Sequence, residues 1–131
     1  MSNPDRRHAI GVARAVVAQL GPEARRPVVA AALLHDSGKV VSGLGTLRRV
    51  GATVLWSVLD HGAAHRWIEH DSTVKRKLGQ YRLHPELGAD LLHRAGADPL
   101  TVAWAREHHL ARSSWTVPRA VADVLKACDD D

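Results

Sequence analysis

The chain has 131 residues, of which 45% are hydrophobic and 24% are charged, and its formal net charge is +4. This length predicts one domain, and the lack of an apolar run of 18 or more residues excludes a membrane-spanning helix. Because the chain has one cysteine and no apolar signal segment at its start, we expect a cytoplasmic protein without an internal disulfide.

Apolar residues recur at helical spacing along most of the chain, and glycine and proline separate the segments. The first predicted helix follows a cap at residues 3–5 and ends at Gly21, and the second begins between Glu23 and Pro27 and ends at Leu34. Further helices are predicted at residues 46–59, 85–95, 99–108 and 118–127, whereas residues 61–80 give no clear pattern.

No segment alternates between apolar and polar residues with a period of two, so a β-sheet is not expected. The sequence therefore predicts an all-α fold, a single compact bundle of about six to seven helices. We place the functional core of this one domain, residues 1–131, at about residues 5–127, and residues 129–131 form a short acidic tail.

Histidine is unusually frequent, with nine residues, and neutral imidazole is the commonest protein ligand for metal ions. A continuous apolar run at residues 28–34 leads directly into His35 and Asp36. A charged group at the end of a buried helix is costly unless it is compensated, and a divalent cation binds both side chains. We interpret the pair as metal ligands; an aspartate at a helix end beside a hydrogen-bonded histidine is the alternative.

The segment Ala31-Ala-Leu-Leu-His-Asp-Ser-Gly-Lys39 resembles the signature of the HD-domain metal-dependent phosphohydrolases. Other motifs follow in the order typical of that family: His8, the segment His84-Pro-Glu-Leu-Gly, the pair His108 and His109, and Asp123. The likeness is greatest to the HD-GYP branch of the family. The Gly-Tyr-Pro loop that follows the paired histidines in that branch is missing here, so we do not predict cyclic di-GMP as the substrate.

The resemblance implies a two-ion metal site in which Asp36 bridges both ions. The ligands that it implies are His8, His35, Asp36, His84, His108, His109 and Asp123. Two adjacent residues can bind one ion only where a helix ends, and if one of the paired histidines binds alone we expect it to be His108. Iron or manganese is the expected metal, with zinc, magnesium, nickel and cobalt as alternatives, since imidazole and carboxylate suit them all.

The resemblance also implies a phosphohydrolase of the phosphodiesterase or phosphatase type, in which metal ions activate a hydroxide. Asp36 and Lys39 are the expected catalytic residues, with the lysine near a substrate phosphate. The expected substrate is a nucleotide or another small phosphate ester or anhydride. Two alternatives stay open: a metal-holding, ligand-binding module with little catalysis, and a di-iron oxygenase on the same fold.

The distribution of charge is consistent with a small anionic substrate. Without the three terminal aspartates the net charge rises from +4 to +7, which suits an anion, although a solvated basic surface is the alternative. Residues 75–77 and Arg82 form a basic segment that we interpret as a solvated face, with a phosphate chain or nucleic acid as possible but less favoured ligands. His70 and His93 are predicted to be surface residues. The oligomeric state cannot be predicted from these patterns.

Overall fold

A computed structural model describes residues 2–42, 52, 55–57, 59 and 61–130. Within these ranges the chain forms seven α-helices of eight or more residues and one of four, and no β-strand. They are α1 (Asn3–Leu20), α2 (Arg26–Leu34), α3 (Lys39–Ser42), α4 (His61–Ile68), α5 (Thr73–Arg82), α6 (His84–Arg94), α7 (Pro99–Glu107) and α8 (Arg119–Asp130). The all-α prediction is confirmed. The helix predicted at residues 46–59 lies mostly outside the described residues.

Local sequence signals account for most helix boundaries. Ser2, rather than a residue at 3–5, caps α1, because its side chain accepts a hydrogen bond from the backbone N–H of Asp5 while the Asp5 side chain accepts one from Ser2. Gly21 and Gly96 adopt positive φ angles of 51° and 73° after α1 and α6, where a residue without a Cβ is favoured. Asp98 caps α7 by accepting from a backbone N–H at 2.9 Å, as its position before a proline indicates.

The part of the chain without a clear sequence pattern contains two helices, α4 and α5, that cross closely. A Cβ on Gly79 of α5 would lie 2.8 Å from the carbonyl oxygen of Ala64 on α4, so the helices approach at a distance that only glycine permits. Trp67 of α4 packs on Trp56, with ring centroids 5.1 Å apart. None of the helices in the described ranges is both long and hydrophobic enough to cross a membrane.

The main core lies between the first two helices and the last two. Val16, Ala31, Trp104 and Leu125 come from α1, α2, α7 and α8 and are almost completely buried together. The small residues of α2 allow close packing of its neighbours, and the hydroxyl of Thr101 on α7 donates to the carbonyl of Pro27 on α2 at 2.9 Å. This packing brings the end of α2, the end of α7 and one face of α8 to the same region.

The start of α6 packs against the turn that follows α2 with almost no space between the two backbones. A Cβ on Gly38 would lie 1.9 Å from the carbonyl oxygen of His84 and 2.7 Å from the backbone nitrogen of Gly88. Real Cβ atoms do not approach other atoms so closely, so this contact requires glycine. It places His84 directly beside the turn that carries His35 and Asp36.

The last helix is longer than the sequence suggested. We predicted a helix to about residue 127 and an acidic tail at residues 129–131, but α8 continues to Asp130. Asp129 is therefore a helical residue, and its side chain is only 12% exposed.

Candidate metal centre

Three buried histidines are held in the same way, one each at the end of α2, the start of α6 and the end of α7. In His35, His84 and His108, Nδ1 donates a hydrogen bond to the backbone carbonyl three residues earlier, at 3.0, 2.8 and 2.9 Å. Because a carbonyl oxygen can only accept, Nδ1 must carry the hydrogen. In the neutral ring, Nε2 then has a free lone pair, which is the form that binds a metal ion.

The carboxylate of Asp36 lies between these three rings. Its Oδ1 is 3.4 Å from Nε2 of His84 and 3.6 Å from Nε2 of His108. Its Oδ2 is 3.6 Å from Nε2 of His35 and contacts the ammonium of Lys39. The two oxygens of one carboxylate thus face two different sets of nitrogen atoms.

The first of these sets joins α1 and α2, with His8, His35 and Asp36 offering donor atoms that all lie within 4.8 Å of one another. Asp129 of α8 adds a carboxylate, since its Oδ1 lies 3.0 Å from Nε2 of His8 and 3.0 Å from Nε2 of His35. His8 is 45% exposed, so this side of the centre is accessible to solvent. We call these four residues the first group.

The second group consists of Asp36, His84, His108 and His109, whose donor atoms also lie within 4.8 Å of one another. Nε2 of His109 is 3.2 Å from Nε2 of His84. The two adjacent histidines reach one site because α7 ends at Glu107 and the chain turns there, as the sequence required. Their ring centroids are 4.1 Å apart.

A buried carboxylate fixes the turn after α7. Glu107 accepts hydrogen bonds from the backbone N–H and the hydroxyl of Thr116, at 2.7 and 2.6 Å. Its own carbonyl accepts from the indole of Trp115 at 3.1 Å. These contacts fold residues 109–116 back against the end of the helix and hold His108 and His109 in place.

The structure does not bring Asp123, the predicted final ligand, to the centre. Its carboxylate forms two hydrogen bonds of 2.6 Å with the guanidinium of Arg112 on the surface. Asp129 lies at the position where Asp123 was expected. The helical repeat contains the signal that we missed, because Asp129 follows the buried Ala122 and Leu125 at spacings of seven and four and shares their face, whereas Asp123 points about 100° away from Ala122.

The charges in the centre alter the pKa values of its residues. Burial alone would raise the pKa of Asp36, but the close approach of His108 and His84 to its Oδ1 and the charge of Lys39 lower it below the usual range. The pKa of Asp129 is likewise lowered, because its hydrogen bond with His35 outweighs its burial. Both carboxylates are therefore ionised at neutral pH.

The histidines divide into two kinds. Burial lowers the pKa of His108, and burial together with the neighbouring His108 and His84 lowers that of His109 to about 3, so both rings are neutral at pH 7. For His35, burial acts in the same direction, but the hydrogen bond with Asp129 and the charge of Asp36 prevail and raise its pKa. A positive charge is therefore favoured at Nε2 of His35, whether it comes from a proton or from a metal ion.

The donor atoms fit a divalent cation. Oδ1 of Asp36 and Nε2 of His108 are buried and make no hydrogen bond with any described residue, an arrangement that needs a physical cause. Ligand atoms about 2.1 Å from one ion at the tetrahedral angle lie about 3.4 Å apart. The separations of 3.4 and 3.6 Å around Oδ1 match that spacing.

The other predicted residues lie in two kinds of environment. Lys39 contacts Asp36, so the structure places it beside the carboxylate that both groups share. His70 and His93 are exposed, as predicted. A pocket of about 620 Å³ borders the second group, and its walls include His84, His109 and three residues that we did not identify from the sequence: Trp56, Tyr81 and Arg106.

The comparisons with known proteins agree with this geometry. A family model described as HD domain matches residues 7–130. Neither the curated proteins nor the solved structures gave a match. The family match does not distinguish the HD-GYP branch, which stays a prediction. Because the matched region spans nearly the whole chain and includes both groups of histidines and aspartates, the chain belongs to the HD domain family.

Proposed function

We propose that the protein is a metal-dependent phosphohydrolase that acts on a nucleotide or another small phosphate ester or anhydride. The observation that carries the proposal is the position of Asp36, whose two oxygens face the first and the second group. Membership of the HD domain family, which is typically hydrolytic, supports the same reaction class. The net positive charge of the chain suits an anionic substrate.

The first group, His8, His35, Asp36 and Asp129, would hold one divalent cation, and the second group would hold another. When bound, such cations polarise a phosphoryl oxygen and lower the pKa of water, so that a nucleophile forms at neutral pH. Iron or manganese remains the expected metal. The hydrogen bonds at Nδ1 of the buried histidines orient the free Nε2 atoms before any ion arrives.

Lys39 has a second role in this proposal. Its ammonium supplies the positive charge beside Oδ2 of Asp36, and a cation bound to that oxygen would replace it. The lysine, which is 21% exposed, would then lie beside the metal site, where its ammonium would contact a substrate phosphate. This exchange links the presence of the metal to the position of the lysine.

The test starts with protein stripped of metal and reloaded with Mn²⁺ or Fe²⁺. Hydrolysis is measured on para-nitrophenyl phosphate, its bis ester and a set of nucleotides, with Asp36→Asn as the variant and His93→Ala as the control. We expect metal-dependent turnover that His93→Ala retains and Asp36→Asn loses.

Two other results would assign a different function. Bound metal without turnover on any of these substrates would contradict the proposal and favour a ligand-binding module. Oxygen consumption by the iron form, with a mixed-valent iron signal, would favour an oxygenase instead.

A further inference from the structure

We infer that the pocket beside the second group binds a nucleotide with at least one phosphate besides the reacting one. The base would pack against the half-buried Tyr81, with the largely buried Trp56 beside it, and the additional phosphate would bind Arg82 and Arg106, all of which line the pocket. The inference names the substrate class of the proposed function and rests on that function for its reaction. Its binding test is independent of turnover.

The size and position of the pocket fit such a ligand. Its volume of about 620 Å³ is within the usual range for sites that bind cofactors and small molecules, about 300–1,000 Å³. His84 and His109 belong both to its wall and to the second group. A ligand in the pocket would therefore present one end to the proposed metal ions.

The aromatic side chains are held firmly enough to form a stacking surface. The indole nitrogen of Trp56 donates to the carbonyl of Leu78 at 3.1 Å, and its ring packs on Trp67. Tyr81 stacks on the imidazole of His84, with centroids 5.8 Å apart and planes inclined by 27°. Rings that are already fixed lose little freedom when a base stacks on them.

The two guanidinium groups are available to an anion. Arg82 is exposed at the end of α5. Arg106 of α7 contacts Asp90 at 3.3 Å, but both side chains are largely exposed, 50% and 62%, and such surface pairs are weak. A phosphate that accepts two hydrogen bonds from one guanidinium would bind Arg106 more strongly than the single exposed contact with Asp90 does.

The charges of the lining favour more than one phosphate. The described lining residues include two arginines and one acidic residue, Glu86, so their net charge is positive. The proposed cations would already neutralise the reacting phosphate. The remaining positive charge therefore serves a part of the ligand that does not react. An aromatic wall and this charge together describe a nucleoside diphosphate or triphosphate better than a sugar phosphate.

The test measures binding to the Mn²⁺-loaded full chain by calorimetry, with three probes: α,β-methylene adenosine diphosphate, adenosine monophosphate and ribose 5-phosphate. The variants are Arg82→Gln, Arg106→Gln and Tyr81→Leu. Arg112→Gln is the matched control, since Arg112 is also an exposed arginine paired with an aspartate, but it does not line the pocket. Tyr81→Phe keeps the ring and controls for packing.

We expect the diphosphate analogue to bind at least tenfold more tightly than both adenosine monophosphate and ribose 5-phosphate. Each pocket arginine variant should weaken binding of the analogue about tenfold, and Arg112→Gln should change it less than twofold. Tyr81→Leu should weaken binding about tenfold, and Tyr81→Phe should retain it.

Equal affinity for the analogue and ribose 5-phosphate would overturn the inference, as would pocket arginine variants that behave like Arg112→Gln. Hydrolysis of para-nitrophenyl phosphate with either of these results would mean that the proposed function holds and the inference fails. Tight, arginine-dependent binding of the analogue without hydrolysis of any substrate would mean the reverse.

Discussion

The assignment of Asp129, rather than Asp123, as the metal-binding aspartate of α8 can be tested with two isosteric variants. Asp129→Asn removes a charge whose oxygen lies 3.0 Å from Nε2 of both His8 and His35. Asp123→Asn removes a charge of the same type from the same helix, where it pairs only with the surface residue Arg112 among the described side chains. Comparing the two variants therefore distinguishes an effect on the metal centre from a general effect on α8.

The expected magnitude follows from the contacts. Loss of a group that merely orients a ligand typically weakens metal binding 10- to 100-fold, which corresponds to about 1.4–2.8 kcal/mol. Because Asp129 contacts two imidazoles of the first group, we expect at least this loss for the ion held there. The second group shares only Asp36 with the first, so its ion should remain.

The assay is calorimetric titration of Mn²⁺ into metal-free protein, together with metal analysis after gel filtration. We expect two ions per chain for the unmodified protein and for Asp123→Asn, and one tightly bound ion for Asp129→Asn. Two tightly bound ions in Asp129→Asn, or equal losses in both variants, would refute the assignment of Asp129.

Three further predictions concern packing, pH and metal removal. Gly38→Ala should lower the free energy of unfolding in urea by about 1–3 kcal/mol or more, because the new methyl group would meet the carbonyl oxygen of His84. The control Gly11→Ala in α1, whose methyl group would meet nothing within 4 Å, should raise it by about 0.5–1 kcal/mol. Similar effects at both positions would contradict the predicted contact. The raised pKa of His35 stabilises the metal-free protein fully below the unfolded pKa of about 6.5, and this stability is lost as pH rises through the folded pKa. The affinity for Mn²⁺ should instead increase over the same pH range, because the proton no longer competes with the metal ion. Melting temperatures and Mn²⁺ titrations at pH 6 and pH 8 check both signs, and stability and affinity that change in the same direction would contradict them. Chelation should lower the melting temperature, with a loss of about 2.7 kcal/mol if the free metal had been at 100 times its Kd, and an unchanged melting curve would mean that no metal is bound.

Much of this architecture could be predicted from the sequence because the signals are local. The capping of α7 by Asp98 and the break at Gly21 each depend on a few neighbouring residues, and the His35-Asp36 pair follows an apolar run that marks a buried helix end. The paired histidines could be assigned to a helix end because neighbouring side chains on a continuous helix diverge. In these places the residue types themselves limit the geometry.

The parts that could not be predicted depend on contacts between distant segments. Asp129 looked like part of a solvated acidic tail, and only the packing of α8 against α1 and α2 shows that it faces His8 and His35. The pocket combines Trp56, Tyr81 and Arg106 from different elements, and no local pattern connects them. Sequence periodicity gives the face of a helix but not the helix that it meets.

The contact between His8 and Asp129 joins residues 121 positions apart in the chain. A cation bound by both residues would cross-link the first helix to the last, so that the chain between them forms a loop closed by the metal ion. Closing a loop of this length strongly restricts an unfolded chain, by about 4–5 kcal/mol in the case of a covalent link over roughly 100 residues. Loss of the ion would remove this link between the two end helices, so proteases should cut the metal-free protein faster near its two ends.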